Sequence, residues 1–168
     1  MKVELENVKP MEIEKRSFEI ITEELGDTPL IPGTELIVKR CIHTSADFDY
    51  AKTMTYSAHA VGIAKKLIQN GADIVTDTNM ALAGVNKKEL AKYGGEAHCF
   101  MAEEEVAKIA KERGVTRAAV SMEKAAQIEK PVIFTIGNAP TALIELYEMI
   151  QSGKYRPAFI IGVPVGFV

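Results

Sequence analysis

The run Arg40-Cys41-Ile42-His43-Thr44-Ser45-Ala46-Asp47-Phe48-Asp49-Tyr50 sets one imidazole among hydroxyls and carboxylates. An imidazole ordinarily titrates near neutral pH, so His43 is a candidate general acid. The same residues also suit a structural role, with a hydrogen-bonded His43 and with Ser45, Asp47 and Asp49 capping the next helix. A second run, Ile136-Gly137-Asn138-Ala139-Pro140-Thr141, carries an apolar segment through glycine into a helix with proline in its first turn. Free backbone amides at such a helix start suit a carboxylate or phosphate, and Gly137 allows close approach to the backbone. The plainer alternative is a well-capped helix with Asn138 as the cap. Arg117 is a third candidate, since a guanidinium binds a carboxylate bidentately, unless it is simply solvated.

Other chemistries fit poorly. No Lys-Ser/Thr pair follows Gly137, and no GxGxxG occurs, so nucleotide binding has no motif. No Gly-x-Ser-x-Gly elbow supports a serine hydrolase. His43, His59 and His98 lack metal-ligand spacing, so no protein metal site is expected; His59 reads as a helix-face residue and His98 as a strand residue. Met54, Tyr56 and Ile63 suggest a core or interface stripe, and Lys87 and Lys88 solvated charges. Cys41 and Cys99 lie in apolar runs and read as free thiols in a reducing, cytoplasmic setting.

The elements that must position these residues follow from periodicity. Ile13, Phe18, Ile21 and Leu25 predict a helix stopped by Gly26, with Ser17 beside Phe18. Asp27 to Gly33 is a loop; Glu35 to Ile42 suits helix or strand, helix being preferred; Met54 to Ile68 is a helix ending at Asn70-Gly71. Strands are expected at Ala72–Thr76, Ala97–Met101, Val132–Ile136 and Ala158–Ile161. Helices are expected at Glu103–Arg113, at Thr116–Gln127 with Thr116 as N-cap, and at Pro140–Gln151, with a short one after Asp77-Thr78-Asn79. Apolar strands alternating with helices imply an α/β domain, three-layer α/β/α with a mainly parallel sheet. Ligands bind outside the carboxyl ends of such strands, so Asp77 to Met80, Ala102, Gly137 to Thr141 and Gly162 to Gly166 should share one crevice.

The 168 residues are 47% hydrophobic and 26% charged, with formal net charge -3, which suits one globular domain spanning 1–168. Interspersed charge of both signs argues against nucleic acid or an anionic membrane as partner. The segment Met1 to Pro10 has no apolar leader region, and no run is long enough to span a bilayer.

These blocks together resemble the precorrin-8X (cobalt-precorrin-8) methylmutase family. They are Glu14-Lys15-Arg16-Ser17-Phe18, the Arg40 to Asp49 run, Asp77-Thr78-Asn79-Met80, Thr116-Arg117-Ala118-Ala119, Ile136-Gly137-Asn138-Ala139-Pro140-Thr141-Ala142-Leu143 and Ile161-Gly162-Val163-Pro164-Val165-Gly166-Phe167-Val168. The resemblance implies an isomerase of cobalamin biosynthesis that moves a methyl group from C11 to C12 of the corrin macrocycle. It implies His43 as the general acid, and Ser17, Asp77, Asn86, Arg117, Gly137, Asn138 and Thr141 as substrate contacts. It also implies a homodimer without cofactor, any cobalt arriving inside the substrate. A non-catalytic tetrapyrrole-binding or carrier protein is the alternative. Family members continue beyond the Gly-Phe-Val block, so this chain is expected to lack a C-terminal segment bearing on dimer contacts and pocket closure.

Overall fold

A computed structural model describes residues 9–166, and the chain divides into two compact units, Met1–Val61 and Gly62–Val168. The leader-free reading of Met1 to Val8, and the closing Phe167 and Val168, lie outside the described residues.

In the first unit a 3-10 turn at Pro10–Glu12 leads into α1 (Ile13–Leu25). Gly26 ends α1 as expected: it takes φ +50°, where a side chain would be strained, and its N–H donates to Thr22 O at 3.2 Å. Glu35 to Ile42 proves helical, as α2 (Glu35–Ser45), and a short α3 (Tyr50–Thr53) follows. Ile21 and Leu25 of α1 meet Val38 and Ile42 of α2, each pair one helical turn apart. Phe18, Phe48 and Met54 pack around them. Burying side chains of this size contributes about 1.5–3 kcal/mol apiece, so this cluster holds α1 and α2 face to face.

The helix expected from Met54 begins only at Ala60, as α4 (Ala60–Gln69). Met54 packs into the first unit's core and the Tyr56 hydroxyl donates to its sulfur at 3.5 Å, while His59 adopts φ +60°. His59 therefore precedes the helix instead of lying on its face, and Met54, Tyr56 and Ile63 do not form one helical stripe.

The second unit holds a parallel sheet of β1 (Asp73–Thr76), β2 (Ala97–His98), β3 (Val132–Ile136) and β4 (Phe159–Gly162), in the order β2-β1-β3-β4. Val75 pairs with Phe134 and Phe134 with Ile160, a fully apolar row across the middle of the sheet. Between strands come α5 (Asn79–Gly84), α6 (Lys87–Ala91), α7 (Glu104–Arg113), α8 (Arg117–Ala125) and α9 (Pro140–Gln151). With the right-handed crossovers that parallel strands make, the order β2-β1-β3-β4 puts α7, α8 and α9 on one face of the sheet and α5 and α6 on the other, consistent with a three-layer α/β/α fold. Ala118, Met122 and Ala125 of α8 and Ala142, Leu146 and Met149 of α9 close the core over Val75, Phe134 and Ile136.

β2 is shorter than Ala97–Met101. It pairs only with Ile74 and Val75 at the sheet edge, and beyond it Phe100 and Met101 turn into the core. At the other end of β1, buried Asp73 ties this edge down. It accepts from Glu96 N at 2.8 Å and Lys130 Nζ at 3.1 Å, with His98 Nε2 3.4 Å from its second oxygen. His98 is thus a strand residue with a structural partner, as its context suggested. Among the described residues, no helix is long and apolar enough to cross a membrane.

Candidate active site

Two of the singled-out residues, 26 positions apart, meet in the first unit: His43 Nδ1 lies 2.9 Å from Ser17 Oγ, both half-buried. The cause is helical spacing. Glu14, Ser17 and Phe18 share one face of α1, and Arg40 and His43 share the facing side of α2. Phe18 sets its ring edge-on to the imidazole, with centroids 5.7 Å apart at 76°. Arg40 lies 4.9 Å above the same ring and donates to Glu14 Oε1 at 2.8 Å. That hydrogen bond holds the exposed Glu14 carboxyl below its usual range and raises Arg40 further. His43 sits in the last turn of α2. In an imidazolium so placed, Nδ1–H donates to Ser17 and Nε2–H remains for delivery elsewhere. Ser45 and Asp47 are spent locally, accepting from Asp47 N and Asp49 N at 3.2 and 2.9 Å.

In the second unit the carboxyl ends of β1 and β3 lie side by side, and their outgoing connections run to opposite sides of the sheet. This is the switch point at which open α/β sheets form a crevice. Asp77, after β1, is completely buried, and its carboxylate accepts from the backbone N–H of Gly137, Asn138 and Ala139. The expectation that these amides face a ligand is therefore corrected: a side chain already fills the anion position at the start of α9. The expected Asn138 cap is corrected with it, since the N-cap residue is Ala139 and the carboxylate comes from the neighbouring strand. Gly137 and the Asn138 side chain remain exposed at the turn.

Beside this turn, Thr116 caps α8 as expected, accepting from Ala119 N at 3.2 Å, and donates to Thr141 Oγ1 at 3.0 Å. The starts of α8 and α9 are thereby joined. Exposed Arg117 stands at the first position of α8 and makes no ion pair with a described residue. The stretch after β4 returns to the same edge: Val163 N donates to Ile136 O at 2.8 Å, and Gly166 passes so near Pro140 that a Cβ would lie 3.2 Å from its ring. Asn86 is exposed and its Oδ1 accepts from Glu89 N at 3.1 Å as the N-cap of α6. Among the described residues no group of three or more His, Cys, Asp or Glu is placed to hold a metal ion.

In the first unit Ser17 and His43 are conspicuous in the sequence and Glu14 and Arg40 are not; their spacing of three from Ser17 and His43 was the available signal. Asp77's amide partners, 60 to 62 residues away, left no local trace.

The family model for precorrin-8X methylmutase matches residues 12–168. The cobalt-precorrin-8 methylmutase of Priestia megaterium is 44% identical over 161 residues, covering 96% of this chain and 72% of that protein. The precorrin-8X methylmutase of Pseudomonas aeruginosa is 33% identical over 156 residues, covering 93% and 74%. The precorrin-8X methylmutase structure from Thermus thermophilus superposes with a TM-score of 0.82 at 38% identity, over 94% of this chain and 76% of that one. The chain belongs to the precorrin-8X methylmutase family.

Proposed function

We propose that this chain carries the methylmutase activity of its family, shifting a methyl group from C11 to C12 of the precorrin-8 macrocycle to give hydrogenobyrinate or its cobalt counterpart, cobyrinate. The bond from the methyl carbon to C11 breaks and its bond to C12 forms, so no atom is gained or lost. His43 is the general acid. The proton it lends from Nε2 polarises the conjugated ring and leaves a neutral imidazole, and the proton returned at the end of the shift restores the imidazolium. The observation that carries this reading is the 2.9 Å contact between His43 Nδ1 and Ser17 Oγ, which fixes the ring while leaving the other nitrogen free for delivery. Arg117, Thr141 and the Asn138 side chain bind the acetate and propionate fringe; Ser17 orients the acid.

No cofactor is required. Any cobalt is part of the substrate, carried inside the macrocycle. A cytoplasmic homodimer completes the reading, supported by free Cys41 and Cys99 and by the apolar side chains left exposed on the chain.

The test pairs turnover with product binding. His43→Ala is expected to lower kcat by about 100-fold or more, the usual contribution of a positioned general acid, while hydrogenobyrinate and cobyrinate shift their absorption bands with unchanged affinity. Equal turnover in both proteins would remove His43 from the chemistry. Saturable binding without turnover by the unsubstituted chain would favour a carrier.

A further inference from the structure

The turn between β3 and α9 offers three consecutive backbone N–H groups to a single side chain. Asp77 Oδ1 accepts from Gly137 N at 3.0 Å, and Oδ2 from Asn138 N at 2.8 Å and Ala139 N at 2.6 Å. The residue is completely buried, and its own N–H reaches back to Thr135 O at 3.4 Å. A buried carboxylate is costly unless its lone pairs are satisfied, and the three backbone amides at the turn supply the donors that satisfy it. The arrangement also lies at the start of a twelve-residue helix, at the sheet's switch point, where a ligand anion would ordinarily be drawn.

We propose that Asp77 is a built-in anion that fills this cradle in place of a ligand carboxylate, and so acts as a positioning residue for the substrate-binding edge. It fixes the Gly137–Thr141 turn. Through the 3.0 Å contact of Thr116 Oγ1 with Thr141 Oγ1 it also fixes the start of α8, where Arg117 stands. A second carboxylate brought to the same amides would meet the charge of Asp77 at short range, so the fringe of an anionic ligand is turned away from the backbone and toward Arg117 and the threonine hydroxyls. The ligand-facing half of the inference rests on the proposed macrocycle function; the occupied cradle does not.

The experiment separates the two. Asp77→Ala empties the cradle, and formate, the smallest carboxylate, should then refill it. In the absence of any macrocycle, sodium formate is expected to raise the melting temperature of Asp77→Ala saturably, with sodium chloride of equal ionic strength inactive and the unsubstituted protein unmoved. Hydrogenobyrinate should bind Asp77→Ala about tenfold or more weakly, formate should restore that affinity, and kcat at saturation should change little, because the proton donor is untouched.

Should Asp77→Ala fail to fold, Asp77→Asn provides the same reading. It keeps the side chain's size but offers one acceptor oxygen for three amides, so it should raise KM and product Kd while sparing kcat, and formate should not rescue it. A formate-indifferent Asp77→Ala, saturable formate binding by the unsubstituted protein, or unchanged product affinity in Asp77→Asn would each overturn the proposal. Formate rescue of stability in a protein that binds no macrocycle would overturn only the substrate-facing half, and the family function with it.

Discussion

At the scale of single residues, the reading turns on what each polar group has already been spent on. Ser17 has one visible partner, the Nδ1 atom of His43, and removing it leaves that nitrogen to water. A side-chain hydrogen bond of this kind is worth about 1 kcal/mol, or about fivefold in rate. Ser17→Ala is therefore expected to lower kcat about fivefold, much less than His43→Ala, and to leave the melting temperature nearly unchanged; steady-state kinetics and a thermal scan read both. A loss as large as that of His43→Ala would make Ser17 a proton carrier in its own right. Both residues were visible in the sequence, because a lone histidine and a serine beside an apolar helix position are chemically conspicuous. Their contact was not, since it depends on the packing of Ile21 and Leu25 against Val38 and Ile42. Asp77 shows the opposite case. Its position after a strand marked it for the crevice, but only the parallel pairing of β1 with β3 reveals that its carboxylate looks inward.

At the scale of elements, the helices with strong punctuation were legible almost to the residue. Pro140 opens α9, Thr116 caps α8, and Gly26 and Gly114 close α1 and α7 with positive φ. What tertiary context decides was less legible: β2 was expected but ends at His98 because it exists only as an edge pair with β1, and α6, a single short helix hung on the Asn86 cap, escaped. One element-level consequence concerns the outer side of α9 and the cleft of about 350 Å³ that Glu145 lines together with Glu123, Met149, Lys154 and Tyr155. Burial, aided by the neighbouring Glu123 and Glu148 carboxylates, pushes Glu145 above its ordinary range against the pull of Arg113 and Lys154. At low pH Glu145 is protonated in both folded and unfolded chains and costs nothing. As pH rises through the raised value the folded state must ionise it, and that stability is lost. Glu145→Gln is thus expected to stabilise the protein at about pH 7, by about 0.5 kcal/mol or 1–2 °C after allowing for solvent screening, and to have no effect at about pH 3. A gain that persisted in acid would trace to side-chain packing and not to charge.

At the scale of the whole molecule, several large apolar side chains stand at the surface. α9 presents Ile144, Tyr147 and Ile150 in a row at 55%, 62% and 38% exposure, and Leu36, Met80 and Val165 stand out at 70%, 86% and 65%. Scattered exposed hydrophobics are normal, but a row of this size along one helix is surface that association would cover. Two-fold pairing has to offset the lost translational and rotational freedom, and typically buries about 1,600 Å² in doing so. If the proposed homodimer is the working state, sedimentation at assay concentrations should give about twice the chain mass of 18.4 kDa. Linkage makes a further demand: because dissociation and unfolding are coupled in such a dimer, the thermal midpoint must climb with protein concentration, by a few degrees over about a hundredfold range. A chain that sediments at its own mass, melts at one temperature across that range and still turns over substrate would carry the whole reaction on one subunit, and the apolar row on α9 would then need another occupant.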